Sequence, residues 1–349
     1  MVVTRFAPSP TGKFHMGSLR TAIFNFLYSK KHNGKFILRI EDTDQERSEK
    51  KFEDEILKIF ELFKLDYDEL NHQSINNKNH QKYLEYLLDK DFAYKEKDGP
   101  YKFRINRDIE TFEYDDLILG KIKIPSSNLD DFSIARSDKN PTFLLSNLVD
   151  DFDQRITHVI RGNDHSINTI KQNLLASELG FNKINYAHIP LIHDLNGKKL
   201  SKRDNITNVD DYIKDGYLVE SIFNFIIKLG NNFNDIEYLD VKEAIKNFEL
   251  KKTVHSPAKF DPKKLNFINQ NYLKRLSFEK FQENINKKNK MILNDFNLNY
   301  VFQDILDRCI KLTDINLELE KLLNFYLTGN IIEVSKEDVI LINKIYEAI

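Results

Sequence analysis

Strand-like and helical segments alternate without a break at the start of the chain. Residues 2–6 form a β-branched and aromatic run, residues 7–12 carry the turn sequence APSPTG, and apolar residues recur at helical spacing over 17–32. A second strand is predicted at 35–40 and an amphipathic helix at about 48–63. Strands that alternate with helices through short connections pair as a parallel sheet with helices on its faces. We therefore predict an α/β fold.

A stretch of different character interrupts this alternation at about residues 73–141. It contains one helical pattern, at 80–90, and short alternating segments at 101–105 and 118–124. We interpret it as an α+β insertion. Beyond it, a strand is predicted at 156–160, a helix at 165–179 and a strand at 188–192. After residue 202 the chain is mostly helical, with helices predicted near 209–214, 217–229, 241–248 and 262–272.

Length, cysteine content and hydropathy narrow the class of protein. At 349 residues the chain is long enough for two or three domains. Its single cysteine, Cys309, excludes an internal disulfide and a cysteine-cluster zinc site. No apolar run has the length that spans a bilayer, and the first seven residues lack the cationic start of a signal peptide. We expect a cytoplasmic protein that does not contact a membrane.

The net charge of −2 hides a local asymmetry. Residues 251–290 contain 11 Lys and Arg against three acids, a surplus of +8, whereas residues 291–349 contain five against ten, a deficit of −5. A basic band of this kind is typical of a surface that binds a polyanion such as RNA. A solvated, lysine-rich helical face would show the same pattern.

A first candidate site lies between the first strand and its helix, in the sequence PTGKFHMGS at 10–18. A nucleotide phosphate placed there would meet free backbone N–H groups and the positive end of the helix dipole. Gly17 would let the backbone approach the nucleotide, and His15 could donate a hydrogen bond to phosphate oxygens in the transition state. Taken alone, a His-x-Gly sequence is weak, because most chance occurrences are surface turns.

A second candidate site is the sequence KKLSKR at 198–203, which follows the strand predicted at 188–192. A loop with clustered lysines after a glycine is suited to hold a triphosphate while pyrophosphate leaves. Lys202 is the best candidate for this role, because an ammonium on a flexible stem can follow the moving charge. A lone cluster of this kind is more often a solvated basic turn.

The two sites together are far more specific than either alone. The sequence HMGS at 15–18 resembles the HIGH signature of class I aminoacyl-tRNA synthetases, and KLSKR at 199–203 resembles their KMSKS signature. The resemblance implies a Rossmann-type catalytic domain in which His15 and Lys202 are catalytic. The ATP-binding residues that it implies are His15, Gly17, Ser18, Lys199, Ser201, Lys202 and Arg203.

Longer motifs indicate the subfamily. The sequences RFAPSPTG at 5–12, RIEDTD at 39–44, RGNDH at 161–165 and SPAKFD at 256–261 resemble those of the glutamyl-tRNA synthetases. The resemblance runs from residue 2 to about residue 272. It implies that the protein attaches glutamate to the 3′ end of tRNA(Glu) through a glutamyl-adenylate, with Mg²⁺ entering together with ATP. It also implies a monomer.

The charges of glutamate agree with these residues. Glutamate has two carboxylates and one ammonium, so its pocket needs at least two cationic or donor groups and one anion. Arg5 and Arg161 can supply planar bidentate forks, and Glu41, by analogy with the family, faces the ammonium. Each arginine could instead form a structural ion pair with an acid such as Asp42, Asp44 or Asp164, and for Arg39 we prefer that interpretation. The glutamate-binding residues that the resemblance implies are Arg5, Ala7, Ser9, Glu41, Phe143, Asn147 and Arg161.

The resemblance also implies a division into domains. Residues 1–72 and 142–198 are expected to form the catalytic domain, 73–141 an insertion that binds the tRNA acceptor end, 199–279 a stem-contact region with the KMSKS-like loop, and 280–349 a helical remnant of the anticodon-binding region. The basic residues of the insertion that could contact tRNA phosphates are Lys102, Arg104, Arg107, Lys121 and Lys123. Lysines at sheet edges, however, often only increase solubility.

The sequence departs from the family pattern at three places. The insertion is short and lacks the zinc-binding cysteines of some members, so no metal site is expected. Phe143 stands where the family commonly has tyrosine, and loss of that hydroxyl predicts a glutamate affinity weaker by about 1 kcal/mol. The chain ends near the beginning of the anticodon-binding region, as expected of either a naturally reduced enzyme or a truncated form.

Three alternatives remain at this point. A glutamyl-queuosine tRNA(Asp) synthetase also lacks an anticodon domain, but the EDTD sequence at 41–44 and the helical region after residue 202 fit the tRNA-charging enzyme better. A catalytically silent tRNA-binding paralogue is disfavoured by the intact His15, Gly17 and Lys202. A small-molecule nucleotidyltransferase would not need the long helical region.

Overall fold

The computed structural model describes residues 1–44, 46–200, 208–234, 236–292 and 298–328. The strands, numbered along the chain, are β1 (Val3–Phe6), β2 (Lys35–Ile40), β3 (Glu69–His72), β4 (Ala93–Lys95), β5 (Tyr101–Phe103), β6 (Thr111–Asp116), β7 (Gly120–Pro125), β8 (Phe132–Ala135), β9 (His158–Gly162), β10 (Asn185–Ile189), β11 (Ile192–His193) and β12 (Ala258–Lys259). The α-helices are α1 (Met16–Lys31), α2 (Lys50–Leu62), α3 (Asn77–Asp89), α4 (Phe143–Asp153), α5 (Ser166–Leu179), α6 (Val209–Lys214), α7 (Val219–Lys228), α8 (Val241–Asn247), α9 (Pro262–Leu273), α10 (Phe278–Glu283), α11 (Lys287–Ile292), α12 (Phe302–Arg308) and α13 (Leu312–Thr328).

The chain divides into two compact units. The first comprises Met1–Asn208 with Ile227–Phe260, and the second comprises Val209–Ile226 with Asp261–Ile349, in each case as far as these residues are described. No helix in the described part of the chain is both long enough and apolar enough to cross a membrane.

A seven-stranded sheet in the order β3-β2-β1-β9-β10-β6-β7 forms the centre of the first unit. Each neighbouring pair is parallel except the antiparallel β6–β7 hairpin. The predicted α/β fold with a Rossmann-type sheet is therefore confirmed. From β1 the chain continues to β2 and β3 on one side, whereas β9 and β10 lie on the other. This change of direction is a topological switch point, where open α/β sheets leave a crevice at the carboxyl ends of their strands.

The turn between α1 and β2 shows why the chain reverses where it does. Asn33 has a positive φ of 49°, which asparagine tolerates better than most residues. A Cβ on Gly34 would lie 2.2 Å from the carbonyl oxygen of Val2, so only glycine allows this close approach. The turn thereby sets β2 directly beside β1, in the register Val3 opposite Lys35.

The insertion does not stand apart from the central sheet. Its β6–β7 hairpin continues the sheet beyond β10, while β4, β5 and β8 form a separate antiparallel sheet. The start predicted for the strand at 118–124 is wrong. A carboxylate oxygen of Asp116 accepts the backbone N–H groups of Ile118 and Leu119 at 2.9 and 2.8 Å. These bonds place residues 117–119 in a turn, and β7 begins only at Gly120.

Two other strands are displaced from their predicted positions. The strand predicted at 188–192 is β10 (Asn185–Ile189), which ends before Pro190 because proline has no N–H group to continue a ladder. The strand predicted at 156–160 is β9 (His158–Gly162). It starts later because Arg155 takes a positive φ of 54° and the N–H of Ile156 bonds to Asp151, which closes helix α4.

Residues after the predicted lysine loop return to the first unit. Strand β12 pairs with β11 in parallel, and helix α8 is followed by Phe248, whose ring lies 5.1 Å from that of Phe24 in α1. The ammonium of Lys31 donates to the carbonyl of Phe248 at 2.6 Å. The segment thus buttresses the helix that starts at the first candidate site.

The described part of the second unit is helical, as predicted for the chain beyond residue 202. Helix α9 begins where Asp261 caps the N–H of Lys263 at 2.9 Å and Pro262 occupies the first turn. The core of the unit is apolar and consists of Leu273, Phe281, Ile285, Val301, Ile305, Leu306, Cys309, Ile315 and Leu319. Burial raises the pKa of Cys309 to about 12, so its thiol packs as a small apolar group.

Candidate active site

A cavity of about 490 Å³ opens at the carboxyl ends of β1 and β9, at the switch point of the sheet. The predicted site residues that line it are Arg5, Ala7, His15, Gly17, Ser18, Phe143, Asn147, Arg161 and Lys199. Ser9 and Glu41 are not among the lining residues. Ser201, Lys202 and Arg203 lie outside the described residues. The histidine turn and the start of the lysine loop, more than 180 positions apart in sequence, therefore face one cavity.

His15 is the N-cap of helix α1. Its Nδ1 accepts the backbone N–H of Ser18 at 3.1 Å, and its Nε2 lies 3.1 Å from the hydroxyl oxygen of Ser18. An accepting Nδ1 requires that the proton of the neutral ring sits on Nε2, which then donates to that hydroxyl. The imidazole is therefore held at the N-terminus of the helix, where the helix dipole favours an anion.

Gly17 lies directly against the ring of His15. A Cβ at Gly17 would lie 3.0 Å from Nδ1 and 3.1 Å from Cε1 of that imidazole. With a larger residue the ring would have to shift by a few tenths of an ångström. The sequence predicted that Gly17 leaves room for a nucleotide, and the structure gives it this second role.

Arg5 and Arg39 share one buried acid. Asp151 Oδ1 accepts from Nε of Arg5 at 3.0 Å and from Nη1 of Arg39 at 2.8 Å. Burial raises the pKa of Asp151, but the two guanidinium groups outweigh it and hold the pKa below its ordinary value. Arg5 is thus fixed by an ion pair and still lines the cavity.

Arg39 is a structural ion-pair residue, as preferred from the sequence, but with different partners. Its guanidinium lies 3.3 Å from Glu41, 2.8 Å from Asp151 and 3.8 Å from Asp150. The acids suggested from the sequence are engaged elsewhere: Asp42 accepts the backbone N–H and hydroxyl of Ser74, Asp44 pairs with Arg47, and Asp164 pairs with Lys199.

Glu41 is linked to the cavity through Asn147. The side-chain amide of Asn147 donates to Glu41 Oε1 at 2.6 Å and accepts from Gln172 at 3.0 Å. Burial raises the pKa of Glu41 above its ordinary value, although Arg39 and Asn147 act in the opposite direction. Asn147 lines the cavity, so a bound ligand would meet its amide before it met the carboxylate.

Arg161 differs from Arg5 and Arg39 because no carboxylate pairs with it among the described residues. Its Nε donates to His188 at 3.2 Å and its Nη2 donates to Thr169 at 2.7 Å, whereas Nη1 is buried with no partner in the described residues. The guanidinium carbon lies 5.4 Å from the ring centroid of Tyr186. Burial lowers the pKa of Arg161 to about 10, so the group remains charged at neutral pH.

Phe143 and His165 form an aromatic edge of the cavity. Their ring centroids are 5.3 Å apart, and Phe143 is 36% exposed. Burial, followed by the positive charge of Arg161, lowers the pKa of His165 to about 4. The ring of His165 is therefore neutral at physiological pH.

The rest of the lining is largely apolar. Its side chains are Phe6, Pro8, Met16, Ile160, Leu191, Ile192 and Leu200. Arg20 also lines this part, and its guanidinium donates to the carbonyl oxygens of Pro190 and Leu229. Burial lowers the pKa of Arg20 to about 9. Arg20 thus ties helix α1 to the segment that leads into the lysine loop.

Lys199 is held at the rim of the cavity by an exposed ion pair. Its ammonium lies 3.1 Å from a carboxylate oxygen of Asp164, which follows β9. The pair is partly solvated, so it constrains the loop only weakly.

No group of three or more His, Cys, Asp or Glu side chains that could hold a metal ion occurs in the described ranges. The five basic residues of the insertion that were predicted to contact tRNA phosphates are each paired with a nearby acid. The ion pairs are Lys102 with Glu96, Arg104 with Asp91, Arg107 with Asp131, and Lys121 and Lys123 with Glu113.

Sequence reasoning missed the buried polar residues that orient the site. They are Asp116, Asp151, Thr169, Gln172 and His188. One signal was available, since the acids of the sequence FLLSNLVDDFD interrupt an apolar helix and require buried partners.

Comparison with known proteins gives a consistent result. The family model described as tRNA synthetases class I (E and Q), catalytic domain, matches residues 1–111 and 95–267. Glutamate–tRNA ligase 2 of Neorickettsia sennetsu is 45% identical over 284 residues, which are 81% of this chain and 69% of that protein. Glutamate–tRNA ligase 2 of Ehrlichia chaffeensis is 37% identical over 377 residues, covering 96% and 80% of the two chains.

Solved structures agree with these relatives. The crystal structure of a glutamate tRNA ligase from Elizabethkingia meningosepticum, in complex with its amino acid, superposes with a TM-score of 0.82 at 27% identity. The superposition covers 92% of this chain and 80% of that one. The structure of glutamate-tRNA synthetase from Elizabethkingia anophelis gives a TM-score of 0.81 at 26% identity, with 99% and 90% coverage.

Proposed function

The chain belongs to the glutamyl-tRNA synthetases, a family of class I aminoacyl-tRNA synthetases, and on that premise we propose that it joins glutamate to the 3′ end of tRNA(Glu) through a glutamyl-adenylate. One observation carries the proposal: His15, Arg5, Arg161 and Lys199 line a single cavity at the switch point of the sheet. A cavity of about 490 Å³ has the size of a small-molecule site.

ATP occupies the apolar part of the cavity and the space at the N-terminus of helix α1. The flat adenine packs against side chains such as Ile160, Leu191 and Leu200. The phosphates then lie near the N-terminus of α1, where the helix dipole and backbone N–H groups favour anions. ATP enters as its Mg²⁺ complex, because Mg²⁺ is commonly held by substrate phosphates rather than by a protein cage.

Glutamate occupies the polar part, between β1 and β9. Arg161 is charged, buried and without a carboxylate partner among the described residues, so a carboxylate of the substrate would satisfy it. Arg5 attracts the second carboxylate, although its ion pair with Asp151 weakens that attraction. Glu41 provides the negative charge that the substrate ammonium requires, and the side-chain oxygen of Asn147, which lines the cavity, can accept a hydrogen bond from that ammonium.

In the first step, an oxygen of the glutamate α-carboxylate attacks the α-phosphorus of ATP. The new O–P bond forms as the bond to the β-phosphate oxygen breaks, giving glutamyl-adenylate and pyrophosphate. The carboxylate is already ionised at pH 7, so the step needs no general base. His15 and the end of helix α1 stabilise the charge that develops on the α-phosphate, and Lys202 accompanies the departing pyrophosphate. To donate to phosphate, Nε2 of His15 exchanges its bond to Ser18 for one to the nucleotide.

In the second step, a ribose hydroxyl of the terminal adenosine of the tRNA attacks the activated carbonyl. An ester forms, AMP leaves, and the hydroxyl proton is released. The insertion over 73–141 holds the acceptor end, the region 199–279 contacts the stem, and 280–349 belongs to the anticodon-binding region. The basic band over 251–290 supports the stem contact, because binding to phosphates is mainly electrostatic.

Charging of total tRNA with labelled glutamate tests this function. The full chain, ATP and labelled glutamate are incubated with unfractionated tRNA, and the labelled species is identified by hybridisation. We expect ATP-dependent label on tRNA(Glu). Label on tRNA(Asp) would instead identify a glutamyl-queuosine tRNA(Asp) synthetase, and no label on any tRNA would identify a silent paralogue.

A further inference from the structure

Arg161 is the end of a buried chain of hydrogen bonds that starts in the insertion. Oδ2 of Asp116, in β6, lies 2.6 Å from Nδ1 of His188, in β10. Nε2 of His188 lies 3.2 Å from Nε of Arg161, in β9, and 3.1 Å from the hydroxyl oxygen of Thr169. All four side chains are buried, so water does not compete for these bonds.

The hydrogen-bond donors around Asp116 show which residue carries the proton between Asp116 and His188. Its two carboxylate oxygens accept the backbone N–H groups of Ile118, Leu119 and His188 at 2.8–3.3 Å, besides the bond to the His188 ring. Burial raises the pKa of Asp116, but the bonds from His188 and the backbone outweigh it, and the net pKa lies below the ordinary value. Asp116 is therefore a carboxylate that only accepts, and the proton between the two residues belongs to Nδ1 of His188.

The tautomer of His188 in turn determines whether Arg161 can donate a hydrogen bond to it. When the proton is on Nδ1, Nε2 of the neutral ring is a hydrogen-bond acceptor. It can then accept from Nε of Arg161, because the guanidinium group can only donate. Thr169 completes the arrangement, since its oxygen accepts from Nη2 of Arg161 at 2.7 Å and its hydroxyl proton is free to bond His188. Two of the three guanidinium nitrogens are thus fixed, and Nη1 is left for a ligand.

From this geometry we propose that Asp116 and His188 are positioning residues for glutamate binding. By holding His188 in the Nδ1-protonated tautomer, Asp116 fixes the plane of the Arg161 guanidinium and thereby sets the affinity for a glutamate carboxylate. The inference rests on the proposed role of Arg161 as the partner of that carboxylate. It adds a residue of the insertion to the determinants of amino-acid binding.

Replacement of Asp116 by asparagine reverses the direction of these hydrogen bonds, while the shape of the side chain at position 116 hardly changes. The asparagine carbonyl keeps the bonds from Ile118 and Leu119, which leaves its NH₂ group facing Nδ1 of His188. His188 must then protonate on Nε2, and two donors face each other at Arg161. We expect the KM for glutamate in tRNA charging to rise about tenfold in Asp116→Asn, or about 1.4 kcal/mol, while the KM for ATP changes less than twofold.

A second Asp–His pair in the same unit provides a matched control. His80 is fully buried and lies 2.7 Å from a carboxylate oxygen of Asp150, just as His188 is fully buried and lies 2.6 Å from Asp116. No bond joins His80 to a cavity residue in the described part of the chain. We expect His188→Gln to raise the KM for glutamate and His80→Gln to leave it within twofold, although both lower the unfolding temperature.

A double variant separates positioning from general damage. Arg161→Lys removes the guanidinium, so adding Asp116→Asn to it should raise the KM for glutamate no further. The inference is overturned if Arg161→Lys raises this KM while Asp116→Asn does not, if the two effects add, or if His80→Gln acts as strongly as His188→Gln. An unchanged KM in Arg161→Lys would instead count against the proposed function. If Asp116→Asn does not fold, the His188→Gln comparison decides alone.

Discussion

Nε of Arg5 lies 3.0 Å from Oδ1 of Asp151, and both side chains are almost completely buried. The two residues are 146 positions apart, so the pair joins the first strand to helix α4. A charged pair away from water is held in place by the cost of separating it. The pair therefore fixes a residue of the proposed glutamate site, and removal of either partner would leave a buried charge without compensation.

Loss of the charge on Asp151 should destabilise the first unit strongly. Asp151→Asn leaves the buried guanidinium groups of Arg5 and Arg39 without their shared partner, for an expected loss of about 3–5 kcal/mol. Urea unfolding followed by circular dichroism measures the effect. Glu85→Gln, which removes an exposed pair with Lys139, is the control and should leave the midpoint nearly unchanged. Equal midpoints for the two variants would contradict the structural importance of this acid.

Stability should rise with pH between about 4 and 6.5, in part because of His165. Burial lowers the pKa of His165 to about 4, whereas an unfolded histidine titrates near 6.5. Between these values the unfolded chain binds a proton that the folded chain does not, so stability is lost as the pH falls. One such group contributes a slope of up to about 1.4 kcal/mol per pH unit. Unfolding midpoints measured across this range should show a smaller slope in His165→Asn, and an unchanged slope would refute the assignment.

A hydroxyl at position 143 should tighten glutamate binding. Phe143 lines the cavity and is 36% exposed, so a tyrosine there can place its hydroxyl toward a ligand without repacking the core. One added hydrogen bond of about 1 kcal/mol corresponds to a roughly fivefold lower KM for glutamate in Phe143→Tyr. Initial rates of charging at varied glutamate measure it. The KM for ATP serves as an internal control, and a glutamate KM equal to that of the unmodified protein would show that the position is neutral.

The lysine loop should act on the chemical step rather than on amino-acid binding. Lys202 lies outside the described residues, and its role follows from the resemblance to the KMSKS signature and from Lys199 at the rim of the cavity. We expect Lys202→Ala to slow pyrophosphate exchange about 100-fold while the KM for glutamate changes little. The neighbouring Lys198→Ala is the control and should be nearly as active as the unmodified protein. Full activity of Lys202→Ala would remove the loop from the mechanism.

The fold could be predicted because the alternation of strands and helices leaves few arrangements. Nine of the residues that the motifs singled out line the cavity, whereas Ser9 and Glu41 do not. Strand ends were less predictable, since β10 stops at Pro190 and β7 starts after a turn that the Asp116 carboxylate forms with backbone N–H groups. Pro190 was visible in the sequence as a signal for the end of β10, whereas the turn before β7 depends on the direction in which the Asp116 side chain points.

The residues that orient the site were not predictable for a related reason. Asp116 is 72 positions from His188, and Asp151 is 112 positions from Arg39. The sequence does not distinguish a buried acid from an exposed one. Only the fold shows which hydrogen-bond donors surround it. The ion pair expected for Arg39 was correct in kind, but its partners required the structure.

The most direct test of the account is a crystal structure with a non-hydrolysable analogue of glutamyl-adenylate. We predict that the adenine lies against Ile160 and Leu200, that the phosphate mimic lies at the start of helix α1, and that the glutamate carboxylate is within hydrogen-bond distance of Arg161. An analogue bound outside this cavity, or bound there with its carboxylate away from both Arg161 and Arg5, would contradict the assignment of the site.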